Sequence, residues 1–183
     1  MNDVALGVVA FACYGAHATF HLLHHRPHDL LWACHISALW IGLGFCSRAP
    51  LFNAIGVCWL SLGVPLWIVD LATGGELFPT SFLTHVGGAI LGVIFVRRHG
   101  FPAGAWWKAV VALMLLFAIT RAVTPAEANV NLAFSVHPGW QRLFPSYPRY
   151  FAALFALSAA VFAFTERIAR SALKTSVNAV ARD

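Results

Sequence analysis

Residues 51–71 read LFNAIGVCWLSLGVPLWIVDL, and Asp70, next to the end, is the only charged residue among them. The stretch is as long as the roughly 20 apolar residues that a helix needs to cross a bilayer. Backbone N–H and C=O groups find no partners in lipid, so an apolar segment of this length must pair them within a helix. The stretch therefore predicts a transmembrane helix rather than the core of a soluble domain.

Five further stretches repeat this pattern, and the composition of the whole chain agrees with it. The 183 residues are 60% hydrophobic and 10% charged, whereas soluble proteins have roughly 25% charged residues. We therefore predict an all-α protein, a polytopic transmembrane bundle of about six helices that forms a single membrane domain over residues 1–183. The predicted spans are 4–23, 30–46, 51–71, 79–96, 105–123 and 149–165, followed by a basic cytoplasmic tail at 166–183. The first span has no basic leader or cleavage site, so we expect it to be retained.

The basic residues predict the orientation of the bundle. Eight of the twelve Lys and Arg residues fall on the side of the two termini, and four fall on the other side. The positive-inside rule then predicts that both termini are cytoplasmic, and we expect a multi-pass protein of a bacterial inner membrane. The net charge of +5 comes from residues at the ends of spans, so it does not predict a nucleic-acid partner.

Polar side chains gather at the opposite, outer end of the predicted bundle. Ionisable groups within a membrane are costly and usually mark a functional site. An accumulation of polar residues at one end of the bundle is expected if a functional site lies within one leaflet of the bilayer. The residues are His17, His21, His24, His25, His28, Asp29, Cys34, His35, Ser37, Asp70, Thr84, His85, Asn129, Asn131, His137 and Gln141.

Cys34 and His85 are the candidate catalytic residues. At 1.5 Å per residue, Cys34 lies roughly 6 Å inside its span and His85 roughly 9 Å inside its own, so the two side chains share a level. A histidine that deprotonates a nearby thiol creates the nucleophile for acyl transfer through a thioester. His35 points about 100° away from Cys34 around the helix, which favours contact with a head group over service as the base. The other cysteines, Cys13, Cys46 and Cys58, are expected to be inert packing residues.

The residues between 124 and 148 predict a long outer loop that covers the site. Loops of this length are often functional lids. We assign Asn129, Asn131 and His137 to the binding of a lipid head group, together with Asp70 at the end of the third span. The alternative is that the Trp and Tyr residues of this loop anchor it at the membrane interface.

The histidine-rich segment supports a second hypothesis, a metal- or haem-binding membrane protein without acyl-transfer chemistry. His17 and His21 share a helix face as two metal ligands would. The string from His21 to His25 matches the HxxHH pattern of membrane di-iron enzymes, but this chain has no second cluster of that kind. The alternative metal set is His17, His21, His24, His25 and His28, whereas the acyl-transfer hypothesis requires no cofactor. Two further alternatives are histidines that simply meet water at the interface, and a small transporter or subunit.

Three short segments, in this order along the chain, resemble the YwaF-like family of polytopic membrane proteins. They are Cys34-His35-Ile36-Ser37, then Ser81-Phe-Leu-Thr-His85-Val, then Asn129-Val-Asn131-Leu-Ala-Phe with His137-Pro138 and Phe144-Pro-Ser-Tyr-Pro148-Arg-Tyr150. Animal relatives of that family include a cysteine-dependent phospholipid acyltransferase. The resemblance implies a six-helix bundle, an acyl group carried on Cys34, His85 as the base, and a lipid such as a phospholipid as the acyl donor.

The sequence departs from the family pattern at two places. His137 stands where the family tends to have Lys, and Tyr147 and Arg149 stand where Trp is usual. These departures leave the substrate open. Small bundles of this kind also resemble the androgen-induced hydrolases, which use a threonine nucleophile with a histidine. Thr84 or Thr19 could take that role, but Cys34 is better placed.

Overall fold

Six helices build the part of the chain that the structure describes. The computed structural model describes the backbone of residues 1–180 and the side chains of residues 1–173. No β-strand occurs within those residues, so the predicted all-α fold is confirmed. The helices are α1 (Asp3–Leu23), α2 (Ala33–Ser47), α3 (Pro50–Ala72), α4 (Gly88–His99), α5 (Ala105–Val123) and α6 (Tyr147–Val180).

Four of these helices, α1, α3, α5 and α6, are long and apolar enough to cross a membrane. Helix α2 has 15 residues, which reach only about 22 Å at 1.5 Å per residue. A 3₁₀ turn at Pro27–Leu31 precedes it, so the helix begins later than the predicted start at residue 30. Helix α4 has 12 residues and continues directly from a π-helical turn at Leu83–Gly87. The protein is therefore a membrane protein in which α2 is shorter than a full span, and in which α4 approaches the length of a span only together with the helical residues 81–87 before it.

Helix α3 lies at the centre of the bundle and packs against α2, α4, α5 and α6. One core cluster, which includes Trp59 and Phe162, joins α3 to α5 and α6, and a second joins α1, α2 and α4. Lipid tails are as apolar as these side chains, so helix association in a bilayer depends on close packing and small residues. A Cβ added at Gly56 of α3 would lie 2.8 Å from the carbonyl oxygen of Ser37 in α2, which shows how closely these helices approach.

One end of the bundle carries basic residues and is called the basic end below. Asp3 at the start of α1 accepts a hydrogen bond from Arg98 near the end of α4, at 3.1 Å. Glu166 of α6 accepts one from the backbone N–H of Gly104, just before α5, at 2.9 Å. Because α4 and α5 are joined here, Asp3 and Glu166 lie at the same end. Which side of the membrane this end faces stays a prediction.

The last helix does not stop at residue 165, where the predicted sixth span ended. Helix α6 runs without a break through Val180, and Glu166, the first residue of the predicted tail, is buried. The tail therefore begins as a continuation of the helix. Its residues 174–183 lie outside the part of the chain whose side chains are described.

The opposite end is called the histidine end. It contains the end of α1, the start of α2, the end of α3, the π-helical turn and the segment between α5 and α6. Three short 3₁₀ turns, at Ala126–Ala128, Val130–Leu132 and Pro138–Trp140, shape that segment. It packs on the chain just before α2, because the turn at Val130–Leu132 contacts the turn at Pro27–Leu31.

Candidate functional site

A cavity of about 780 Å³ enters the bundle at the histidine end. Its charged lining residues include Arg26, Asp70 and Glu76, whose side chains are 42%, 51% and 64% exposed. Further inside, the lining is apolar and includes the buried side chains of Trp59 and Phe162. The cavity is therefore charged where it meets solvent and apolar within the bundle, a lining that suits an amphiphilic molecule.

Cys34, His35 and His85 lie together on the wall of this cavity. The sulfur of Cys34 and a ring nitrogen of each histidine are all within 4.8 Å of one another. Gly63 of α3 makes room for the cysteine, since a Cβ added there would lie 2.9 Å from Cys34 Cβ. The thiol and the His85 imidazole thus lie side by side. A ring nitrogen of His35 also lies within 4.8 Å of the sulfur, although its place on the helix predicted that it would point away.

The His85 ring is held in one orientation. Its Nδ1 donates to the carbonyl oxygen of Ser81 at 2.9 Å, and its face stacks on Trp67 with ring centroids 4.5 Å apart. A carbonyl can only accept, so the proton of the neutral ring is on Nδ1 and Nε2 has the lone pair. That Nε2 is buried and has no hydrogen-bond partner. An unsatisfied buried group costs about 1–3 kcal/mol, so this nitrogen is ready to bind a proton or a ligand.

His85 lies within the π-helical turn at Leu83–Gly87. Such turns replace the usual bonding pattern of a helix locally and are frequent at functional sites. Here the Ser81 carbonyl accepts the side chain of His85 and also the hydroxyl of Thr84, at 3.1 Å. Sequence reasoning selected His85 but not Ser81 or Trp67, because a change in helical pitch leaves no clear signal in composition.

Three histidines form a second group directly beside Cys34, and we call it the histidine cluster: His17, His21 and His35. His17 Nε2 lies 3.1 Å from His35 Nε2 and 3.1 Å from His21 Nε2. All three side chains are buried. The cluster brings one turn of α1 against the first turn of α2, and it shares His35 with the group around the thiol.

The outer nitrogens of the cluster contact residues to which the sequence analysis assigned no role in a site. His35 Nδ1 donates to the carbonyl oxygen of Asp29 at 2.9 Å, and His17 Nδ1 lies 2.8 Å from Thr80 Oγ1. His21 Nδ1 is 3.4 Å from the Asp29 carboxylate, which is an ion-pair distance without hydrogen-bond geometry. Asp29 therefore faces two of the three rings. In the sequence, only the position of Asp29 between His21 and His35 could have indicated these contacts.

The other histidines of the predicted metal set do not join this cluster. His24 is exposed, stacks on Phe20 at 4.1 Å and bonds to the Phe20 carbonyl. His25 is exposed with a positive φ of 57°, and His28 belongs to the turn at Pro27–Leu31. Of the five predicted ligands, the structure brings together only His17 and His21. The third member is His35, which the sequence had assigned to a head group.

Asn131 is used within the protein. Its Oδ1 accepts from the backbone N–H of Ala33 at 2.8 Å, and its Nδ2 donates to the Leu31 carbonyl at 2.7 Å and to Thr120 Oγ1 at 3.0 Å. Both amide hydrogens are occupied, so they are not free for a head group. Instead, Asn131 fastens the segment after α5 to the start of α2, one residue before Cys34.

Asn129 also organises its own segment. Its backbone has a positive φ of 42°, and its Oδ1 accepts from the N–H groups of Phe134 and Ser135. Asp70 and His137 are different, because they stay accessible at the charged part of the cavity. His137 Nε2 lies 3.9 Å from Asp70 Oδ1, and their side chains are 37% and 51% exposed. Of the predicted head-group residues, these two are partly exposed at the charged part of the cavity, whereas His35 lines the cavity from a buried position.

Comparison of the chain with protein-family models, with curated proteins and with solved structures finds no match. The resemblance to the YwaF-like family accordingly stays a prediction.

Proposed function

We propose that this protein transfers or hydrolyses an acyl group of a membrane lipid, with Cys34 as the nucleophile and His85 as its base. The proposal rests on one observation, the approach of the Cys34 sulfur and a His85 ring nitrogen to within 4.8 Å on the wall of an amphiphilic cavity. A lipid is the substrate class that such a lining suits, because its ester lies between a polar head group and apolar chains.

The chemistry proceeds through a thioester. His85 Nε2 takes the proton of the thiol, and the sulfur attacks the ester carbonyl, so that a C–S bond forms as the carbonyl C–O bond breaks. The departing alcohol oxygen takes the proton back from His85. Water or another alcohol then attacks the thioester, gives its proton to His85, and releases the acyl group as the sulfur regains a proton. The histidine acts alternately as base and acid, and no outside oxidant or reductant is needed.

The neighbours of His85 support this role. The Ser81 carbonyl holds the proton on Nδ1, which leaves Nε2 free for the thiol. A nucleophile, its base and a third group that orients the base form the general arrangement of covalent catalysis. Asp70 and His137 at the charged part of the cavity are suited to contact the head group, and Asn131 acts as a positioning residue for the start of α2.

The test measures turnover of a phospholipid in liposomes that contain the purified full-length protein. The variants Cys34→Ser and His85→Ala should each abolish acyl release. Cys13→Ser changes a cysteine of α1 that does not line the cavity, so it serves as the control and should release acyl groups as the wild type does. The wild type should also trap an acyl group that hydroxylamine removes, and Cys34→Ala should not. Full turnover in a folded Cys34→Ser or His85→Ala protein would end the proposal.

We further propose that the protein resides in a bacterial inner membrane, with both termini cytoplasmic and the cavity open to the outer side. Leu143, which is 75% exposed at the histidine end, and Arg97, exposed at the basic end, offer matched positions. In intact cells, a membrane-impermeant maleimide should label Leu143→Cys and not Arg97→Cys, each in a Cys46→Ala background. Labelling of the reverse pair would invert this orientation.

A further inference from the structure

We infer that His17, His21 and His35 bind a divalent transition metal ion, for which Zn²⁺ is the best fit. This site goes beyond the proposed acyl transfer and does not depend on it. Zinc is held at about 2.0–2.1 Å by histidine nitrogens in tetrahedral geometry, which corresponds to a nitrogen–nitrogen separation of about 3.3 Å. Two of the nitrogen pairs in the cluster are 3.1 Å apart, and the third pair is within 4.8 Å.

The arrangement of protons in the cluster points to a cation. His35 Nδ1 faces a carbonyl oxygen, which can only accept, so its Nε2 has the lone pair. The carboxylate of Asp29 next to His21 Nδ1 favours the proton on that nitrogen too. Both lone pairs then point to His17 Nε2, and one proton on that nitrogen can fully satisfy only one of them. A metal ion at the point of convergence would satisfy all three.

The residues around the rings match the surroundings of known metal ligands. A histidine that binds a metal usually donates its other N–H to a carboxylate or a backbone carbonyl, and this contact fixes the ring. Asp29 supplies a carbonyl to His35 and faces His21 with its carboxylate. Thr80 contacts His17. Each of the three rings thus has an outer polar neighbour on the nitrogen that faces away from the cluster.

An ion in this cluster would keep a position open to the cavity. His21 and His35 both line the cavity. Among the described His, Cys, Asp and Glu residues, only these two have a ligand atom grouped with that of His17. Three protein ligands with a fourth position for water or substrate define the catalytic type of zinc site, whereas structural sites are closed by four protein ligands. The site therefore fits an exchangeable ion beside the thiol.

A competing site uses Cys34, His35 and His85, whose ligand atoms also lie within 4.8 Å of one another. The two sites share His35, so a single ion would choose one of them. The first is favoured because two of its nitrogen pairs already lie at 3.1 Å. Among the described residues, no hydrogen bond joins the Cys34 thiol to the imidazole of His35 or of His85. The two sites differ in which substitutions should reduce the bound zinc, and in the absorption spectrum expected after Co²⁺ replaces zinc.

The test measures the zinc that stays on the purified full-length protein after loading with ZnCl₂ and removal of the excess. The wild type should hold near-stoichiometric zinc, and His17→Ala, His21→Ala and His35→Ala should each reduce it at least tenfold. His24→Ala and His25→Ala remove exposed histidines of the same segment and should change nothing. Asp29→Asn keeps the ligands and should weaken the zinc affinity about 10–100-fold, so it tests the site even if a histidine variant misfolds.

Replacement of zinc by Co²⁺ identifies the ligands. Bound Co²⁺ should show visible absorption bands of a low-symmetry nitrogen site without the near-ultraviolet band of a cobalt–thiolate bond, and Cys34→Ser should leave this spectrum unchanged. A thiolate band that Cys34→Ser removes would overturn the proposal in favour of the competing site. A wild type that retains neither Zn²⁺ nor Co²⁺ would also overturn it, because the cluster would then share protons alone. These readouts follow metal content, so they are separate from any failure of lipid turnover.

Discussion

The two ends of the bundle differ in how their polar groups are paired. At the basic end, groups of opposite character meet: Asp3 contacts Arg98, and the Glu166 carboxylate accepts backbone N–H groups at the start of α5. The histidine end also has ion pairs, such as Arg26–Glu76, but its buried histidines meet one another. The rings of His17, His21 and His35 converge, and His85 Nε2 has no partner.

This difference separates a structural role from a functional one. Opposite charges that contact each other stabilise a fold without any further species. Like groups that converge in a buried place need a third species between them, which is a proton, a metal ion or a substrate, because buried polar groups without partners are costly. The basic end should therefore affect stability alone, and the histidine end should affect activity and binding.

The largest effect expected is the loss of acyl turnover on removal of Cys34 or His85. Because the two act as a unit, either single variant should lose about 10³-fold or more, and the double variant Cys34→Ser/His85→Ala should lose no more than the singles. Turnover of the same phospholipid in liposomes, measured for the wild type, the two single variants and the double variant, completes a double-mutant cycle. Losses that multiply would show that the two residues act independently, and the proposed pair would fail.

The sequence predicted the bundle well, since it rests on a signal that repeats along the chain. Six apolar stretches predicted six helices, and residues 51–71 became α3 almost without change. The boundaries were less predictable where local turns intervene. The turn at Pro27–Leu31 delays the start of α2. Helix α6 continues past the predicted end at residue 165, because Glu166 accepts a backbone N–H just before α5 and Ala169 and Leu173 pack against the core.

The candidate site was predictable in position and less so in grouping. The shared level of Cys34 and His85 follows from helix length alone. The contacts of His35 with His17, and of Asn131 with Ala33, join residues distant in the chain, and they depend on how the helices rotate against each other. A single sequence does not contain that rotation. The sequence therefore predicted that these histidines lie at one end of the bundle, but not which of them contact one another.

The next effect concerns Asn131, which belongs to the histidine end and yet has a structural contact pattern. Asn131→Ala removes the partners of Ala33, Leu31 and Thr120, which should lower the free energy of unfolding by about 3 kcal/mol. Turnover should also fall, because the start of α2 carries Cys34. Thermal unfolding in detergent and the liposome assay measure both. Lower stability with undiminished turnover would remove the positioning role of Asn131.

A smaller effect should follow from crowding the thiol. Gly63→Ala puts a methyl group 2.9 Å from Cys34 Cβ, so α2 and α3 must move apart, at a cost of about 1–2 kcal/mol. Gly15→Ala is the matched control in α1, since nothing lies within 4 Å of its added Cβ. We expect slower turnover and a lower melting temperature for Gly63→Ala only. Equal behaviour of the two variants would show that the close contact at Cys34 is not needed.

The smallest effect belongs to the basic end. Glu166→Gln keeps an oxygen that can accept from Gly104 or Trp106 but removes the negative charge at the start of α5, where the helix dipole favours it. The cost should be about 1 kcal/mol, seen as a small decrease in melting temperature. Lipid turnover and retained zinc should both match the wild type, because Glu166 lies at the opposite end from Cys34. A marked loss of either in a protein that melts normally would mean that the two ends are coupled, and the division between a structural end and a functional end would no longer hold.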